Sequence, residues 1–174
     1  PVSKLSTEQA MYHFITGYTA KVAGTERGID EPQATFSPCF GGPFLTLHPL
    51  KYAKLLKEKL DKYGSIVYLV NTGWVGGSPS SGAKRISIKD TRNIITSILD
   101  GSIEKSEFIK EDFFGLDIPI NLNNVDTDIL NPKNAWSNKE LYIVVAKKLA
   151  EMFKENFNQY GSEVDYLKAY GPII

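Results

Sequence analysis

The chain has 174 residues, of which 42% are hydrophobic and 23% charged, and its 20 Lys plus Arg balance 20 Asp plus Glu. That is one domain's worth of sequence with length for a core, and with zero net charge nothing argues for a nucleic-acid-coating surface. No segment approaches the roughly 20 apolar residues that cross a bilayer, and no charged-then-apolar leader opens the chain; with a lone Cys39, a reducing, cytoplasmic setting and no membrane partner are expected.

Ser6-Thr7-Glu8-Gln9 is a capping box, followed by Met11, Phe14, Ile15 and Tyr18 at helical spacing and ended by Gly17. From Lys21 to Pro38 periodicity is lost, which predicts a long surface loop. Pro49 opens a second helix with Ala53, Leu56, Leu60 and Tyr63 on one face and Gly64 as its stop. Ile66-Val67-Tyr68-Leu69-Val70 predicts a buried strand.

Gly73-Trp74-Val75-Gly76-Gly77-Ser78-Pro79-Ser80-Ser81 is irregular, and the basic segment Gly82 to Arg92 follows it. Asp90 or Ser87 caps a third helix whose predicted buried face is Ile94, Ile95, Ile98 and Leu99, stopped at Gly101. Residues 102–135 predict connection with little regular structure. Ser137-Asn138-Lys139-Glu140 reads as a further capping box. It opens the longest amphipathic helix, with Leu141, Val144, Val145, Lys148, Leu149, Met152, Phe153 and Phe157, and the face of Leu141, Val145, Leu149, Met152 and Phe153 is expected to pack against the sheet containing Ile66–Val70 or its supporting helices. A short helix from Ser162 to Tyr170 closes the chain, and residues 1–174 read as one domain without repeats.

The segment Lys84-Arg85-Ile86-Ser87-Ile88-Lys89-Asp90-Thr91-Arg92 places positive charge, hydroxyls and a helix start directly after a glycine-rich loop. That order suits an anionic ligand such as a nucleotide. A plain loop leading into a solvated helix fits the same residues. No Gly-x-x-x-x-Gly-Lys-Ser/Thr phosphate loop and no metal-ligand spacing occur. His13 reads as a packing residue, His48 as part of a helix start, and Cys39 as a small buried thiol.

Three blocks in order carry a resemblance. They are Gln9-Ala10-Met11-Tyr12-His13-Phe14 with Gly17 to Gly28, then Phe36 to Leu45, then Asn71-Thr72-Gly73-Trp74 with Lys84 to Arg92. Together they resemble the ATP-dependent phosphoenolpyruvate carboxykinases, from about Ser6 to the end, although Pro79-Ser80-Ser81 departs from the family's Gly-Tyr-Gly type of loop.

The resemblance implies an α/β fold, the C-terminal part of the mononucleotide-binding domain, with a mixed sheet and flanking helices. It implies a lyase of gluconeogenesis that turns oxaloacetate and ATP into phosphoenolpyruvate, ADP and carbon dioxide. It puts ATP contacts at Arg85, Ile86 and Thr91, and an active-site lid at about residues 21–32 with Lys21, Gly24, Thr25, Glu26, Arg27 and Gly28. Catalytic residues and the ligands of Mg2+ or Mn2+ are expected upstream, in the remainder of the same enzyme chain. Family members are roughly three times as long, and Pro1 is no natural initiator, so a piece of such an enzyme, inactive alone, is expected. A non-enzymatic nucleotide-binding module or an interaction domain is the alternative.

Overall fold

The computed structural model describes residues 1–21 and 33–174. Its elements run β1 (Val2–Leu5), α1 (Thr7–Thr16), β2 (Tyr18–Lys21), β3 (Gln33–Phe36), α2 (Pro49–Tyr63), β4 (Val67–Val70) and β5 (Trp74–Val75). Then come β6 (Lys84–Arg85), α3 (Ile88–Leu99), β7 (Phe108–Lys110), β8 (Asp117–Pro119), α4 (Thr127–Leu130), α5 (Pro132–Ala135) and α6 (Lys139–Asn158). The chain divides into two compact units, Pro1–Lys4 with Tyr68–Ala146, and Leu5–Val67 with Lys147–Ile174.

The first unit is built on a sheet of order β4-β1-β8-β7, in which β8 pairs antiparallel with both β1 and β7. Lys4 stands opposite Asp117, and Lys110 opposite Asp117 forms a cross-strand ion pair at 2.9 Å. Val2, Ile94, Ile103, Leu122, Val125 and Leu130 form the core of this unit, with Tyr68, Val70 and Phe108 against it. Glu104 accepts hydrogen bonds from both Lys4 and Tyr68, tying the short helical turn at Ser102–Lys105 to two strands.

The second unit is organised by α1. The capping box holds in full: the Gln9 amide N–H donates to Ser6 Oγ, and the Ser6 N–H donates to Gln9 Oε1. Ala10, Met11, Tyr12, His13, Ile15 and Thr16 are all buried. Tyr12 stacks on Phe157 with ring centroids 4.3 Å apart, and Phe153 meets His13, Tyr18 and Phe36. Gly17 is left-handed at φ 56°, and a Cβ there would lie 1.7 Å from the Ser37 carbonyl oxygen. Only glycine lets the chain turn that tightly from α1 into β2.

Several expectations change. β1 lies where the sequence read as a lead into α1. The run from Lys21 to Pro38 is not loop throughout, because β2 and β3 pair antiparallel from Tyr18 opposite Phe36 to Lys21 opposite Gln33. Residues 102–135 hold two strands and two short helices, each too short for periodicity to register. β4 is half-buried and begins at Val67. Tyr63, Ile95 and Leu99 are exposed, while α3 buries Ile94 and Ser97 and packs Ile98 against the core.

In α6 the buried positions are Tyr142, Ala146, Ala150, Phe153 and Phe157, while Leu141, Val144 and Val145 are exposed. Residues 141–145 are apolar on every side, so the sequence hides the phase of the helix there. Tyr142 packs with Phe113 and Trp136, and Phe157 with Tyr12. Helix α6 starts on Asn138, whose side-chain oxygen accepts the Leu141 N–H at 2.9 Å, one residue past the predicted Ser137.

Two tests follow from this packing. Phe157→Ala should lower unfolding free energy by about 3–5 kcal/mol and Val144→Ala by less than about 0.5 kcal/mol in denaturant melts; equal losses would reverse the inward face of α6. Burial pushes the His13 imidazole down to about 4. The unfolded chain takes up a proton below its usual value near 6.5 while the folded chain does not. Stability should therefore be full above pH 6.5 and fall by up to about 1.4 kcal/mol per pH unit toward pH 4. His13→Leu should flatten that slope in urea melts run across the window.

Candidate functional site

The basic segment is presented by a two-stranded hairpin. β5 and β6 pair antiparallel, Trp74 opposite Arg85 and Val75 opposite Lys84. Pro79-Ser80-Ser81 forms a tight helical turn whose Ser81 hydroxyl donates to the Ser78 carbonyl at 2.8 Å, closing the loop that connects the strands. At Gly76, φ is 77° and a Cβ would lie 2.6 Å from the Ala135 carbonyl, so the absent side chain lets the hairpin close on α5. Past β6, the Ile86 N–H donates to the Gly73 carbonyl at 2.9 Å and extends the pairing by one more bond.

Ser87 then starts α3. Its hydroxyl accepts the Asp90 N–H at 2.9 Å and donates to Asp90 Oδ2 at 2.6 Å. Both expected capping residues thus act together, Ser87 as the cap and Asp90 as its partner in the first turn. The Thr91 N–H donates to the Ser87 carbonyl at 2.9 Å, which sets half-buried Thr91 in the first turn of the helix.

Arg85 is exposed, with its guanidinium carbon 5.2 Å from the centroid of the Trp74 ring and one N–H donating to the Thr72 carbonyl at 3.3 Å. Ile86 is buried and lines a cleft of about 80 Å³ together with Pro1, Asn71, Trp74, Ile129 and Trp136. Whole small-ligand pockets hold roughly 300–1,000 Å³, so this cleft is too small to enclose a nucleotide.

The structure thus brings Arg85 and Ile86 together around Trp74 at one end of α3. Thr91 is one helical turn further on and does not line the cleft. The Ile86 N–H is taken by the Gly73 carbonyl, and its side chain lines the cleft. Lys84, Lys89 and Arg92 are exposed around this end of the helix. Sequence reasoning gave Trp74 no role. The usable signal was an aromatic residue and an arginine flanking a glycine-rich turn, an arrangement that places them opposite each other on paired strands.

Elsewhere, His48 caps α2, its Nδ1 accepting the Leu50 N–H at 3.3 Å while Nε2 lies 3.1 Å from the Tyr160 carbonyl. Burial pushes the Cys39 thiol up to about 11, which leaves it a protonated thiol at neutral pH and a poor nucleophile. Lys21 ends β2; Gly24, Thr25, Glu26, Arg27 and Gly28 of the expected lid lie outside the described residues.

Residues 1–128 match the family model described as phosphoenolpyruvate carboxykinase. Curated relatives named "Phosphoenolpyruvate carboxykinase (ATP)" include one from Sulfurimonas denitrificans, 59% identical over 177 residues, covering 100% of this chain and 33% of the relative. Another, from Campylobacter jejuni subsp. doylei, is 62% identical over 176 residues, covering 100% of this chain and 33% of the relative. A third, from Caldanaerobacter subterraneus subsp. tengcongensis, is 52% identical over 172 residues, covering 99% of this chain and 33% of the relative. The chain therefore spans about a third of the length of these relatives.

Removing the cap tests how the site is held. Ser87→Ala should lower stability by about 1 kcal/mol. Hydrogen exchange at the amides of Asp90 and Thr91 should accelerate while that of Ile98 stays slow. Unchanged exchange at Asp90 would show that α3 starts without Ser87.

Proposed function

This chain belongs to the ATP-dependent phosphoenolpyruvate carboxykinase family, and from that premise we propose that it supplies the nucleotide-base side of the active-site cleft. The enzyme would act on oxaloacetate. Loss of carbon dioxide leaves the enolate of pyruvate, whose oxygen takes the terminal phosphoryl group of ATP as ADP departs. A chain of this kind contributes positioning and charge rather than bond-making groups.

The observation that carries the reading is Arg85 lying over Trp74 beside buried Ile86, at the start of a helix ringed by Lys84, Lys89 and Arg92. A guanidinium is flat and permanently charged, so it can lie on a purine and still attract the phosphates. The Ile86 side chain gives the edge of the ring an apolar contact. Thr91, in the first turn of α3, offers a hydroxyl that can donate and accept toward the base or ribose.

A divalent metal, Mg2+ or Mn2+, would neutralise the phosphates when bound. Among the described residues no group of three His, Cys, Asp or Glu side chains converges to hold one. The described residues do not fit a metal site, and no metal-dependent step is assigned to them. Their share is to orient the base and ribose. Oxaloacetate and ATP are the proposed partners, together with the rest of the enzyme polypeptide. No helix among the described residues is long and apolar enough to cross a membrane.

In the full-length enzyme, Arg85→Ala should weaken ATP binding by about 1–2 kcal/mol, the scale of a partly desolvated cation–π contact with its charge. Titration calorimetry reads this directly. An unchanged affinity would leave Arg85 a surface charge and remove the base-site reading.

A further inference from the structure

We propose that Trp74 is a positioning residue that holds the Arg85 guanidinium flat and ready for the nucleotide base, so that bound base, guanidinium and indole form one stack. This rests on the reading of Arg85 as a base contact, and it adds a residue to which the resemblance assigned no part.

The geometry points there from three sides. Trp74 and Arg85 are directly opposed on paired strands, so the backbone itself sets the indole beneath the side chain. The guanidinium carbon is 5.2 Å from the ring centroid, inside the roughly 6 Å range of cation–π attraction. A second restraint, the N–H donated to the Thr72 carbonyl at 3.3 Å, limits rotation of the plane.

An arginine on a surface hairpin would otherwise lose much side-chain freedom on meeting a ligand. Here two contacts already limit that freedom. A guanidinium has two faces. One lies toward Trp74, and the exposure of Arg85 leaves the other to a planar ligand. Preorganisation of this kind strengthens binding by reducing the ordering required at the moment of contact. Trp74 would then act on ATP affinity through Arg85, without touching the reacting atoms.

The competing role is plain packing, since Trp74 also lines the cleft with Ile86 and Trp136. The test uses the full-length enzyme with Trp74→Leu, Trp74→Phe, Arg85→Ala and the double variant Trp74→Leu/Arg85→Ala, measuring ATP dissociation by calorimetry and steady-state constants. Trp74→Leu keeps apolar bulk and removes the ring face. It should weaken ATP binding about three- to five-fold and raise KM for ATP, with kcat and KM for oxaloacetate nearly unchanged. Trp74→Phe should recover part of the loss, because its ring face is the weaker one. In the Arg85→Ala background Trp74→Leu should add nothing.

A silent Trp74→Leu, or a loss that adds in full to that of Arg85→Ala, overturns the proposal and makes Trp74 a packing residue. If Trp74→Leu fails to fold, Trp74→Phe decides in the same way, by whether its smaller loss disappears once Arg85 is gone. An Arg85→Ala variant with unchanged ATP affinity defeats the base-site reading itself. Arg85→Ala weakening ATP while Trp74 variants leave it unchanged defeats only the positioning role.

Discussion

A backbone N–H without a partner at a helix start is met six times among the described residues by one device, a side-chain acceptor just ahead of the helix. Ser6, His48, Ser87, Asp126, Asn131 and Asn138 each accept an N–H from the first turn of α1 to α6 in order. Each such bond contributes on the order of 1 kcal/mol and, more to the point, fixes the residue at which the chain stops being extended. α4 and α5 are four residues each, far below the length at which a helix persists by its own propensity. They depend on their caps and on packing, since Leu130 is buried within the core of its unit.

At the candidate site the same device has a directional result. Because Ser87 is the cap, Arg85 and Ile86 must be extended, and being extended they can pair with Trp74 and Gly73. Alternation along that strand sends Arg85 to the exposed side and Ile86 to the buried side. Two adjacent residues thus present a charge and an apolar surface in different directions from a single strand end.

Caps and stops were the most legible features. Gly17 and Gly64 end their helices in the left-handed conformation, as their positions implied, and Pro49 opens α2. Buried faces were legible only where apolar and polar residues alternate in phase. The run Leu141 to Val145 does not alternate, and the inward side was decided by Phe113 and Trp136, distant in sequence from most of α6. β1, β7 and β8 escaped notice because three or four residues carry no period; pairing to a neighbour is what makes them strands. At the candidate site, Arg85 and Ile86 were singled out only through the family pattern. The pairing of Trp74 with Arg85 was not legible, because it depends on a register between residues eleven positions apart.

The segment after β3 shows what it means to keep side chains where glycine would be easier. Cys39 and Phe40 are both left-handed, at φ 53° and 57°, with Gly41 and Gly42 immediately beyond. Each such non-glycine residue carries a conformational penalty of roughly 1 kcal/mol or more. Phe40 faces Phe14 at 6.5 Å, and the Cys39 thiol points at the Pro49 carbonyl. Drift toward glycine at these two places would relax the backbone and forfeit both contacts. Backbone strain and side-chain contact thus oppose each other at this turn, so a substitution to glycine there would trade one for the other without touching the hairpin of Trp74 and Arg85.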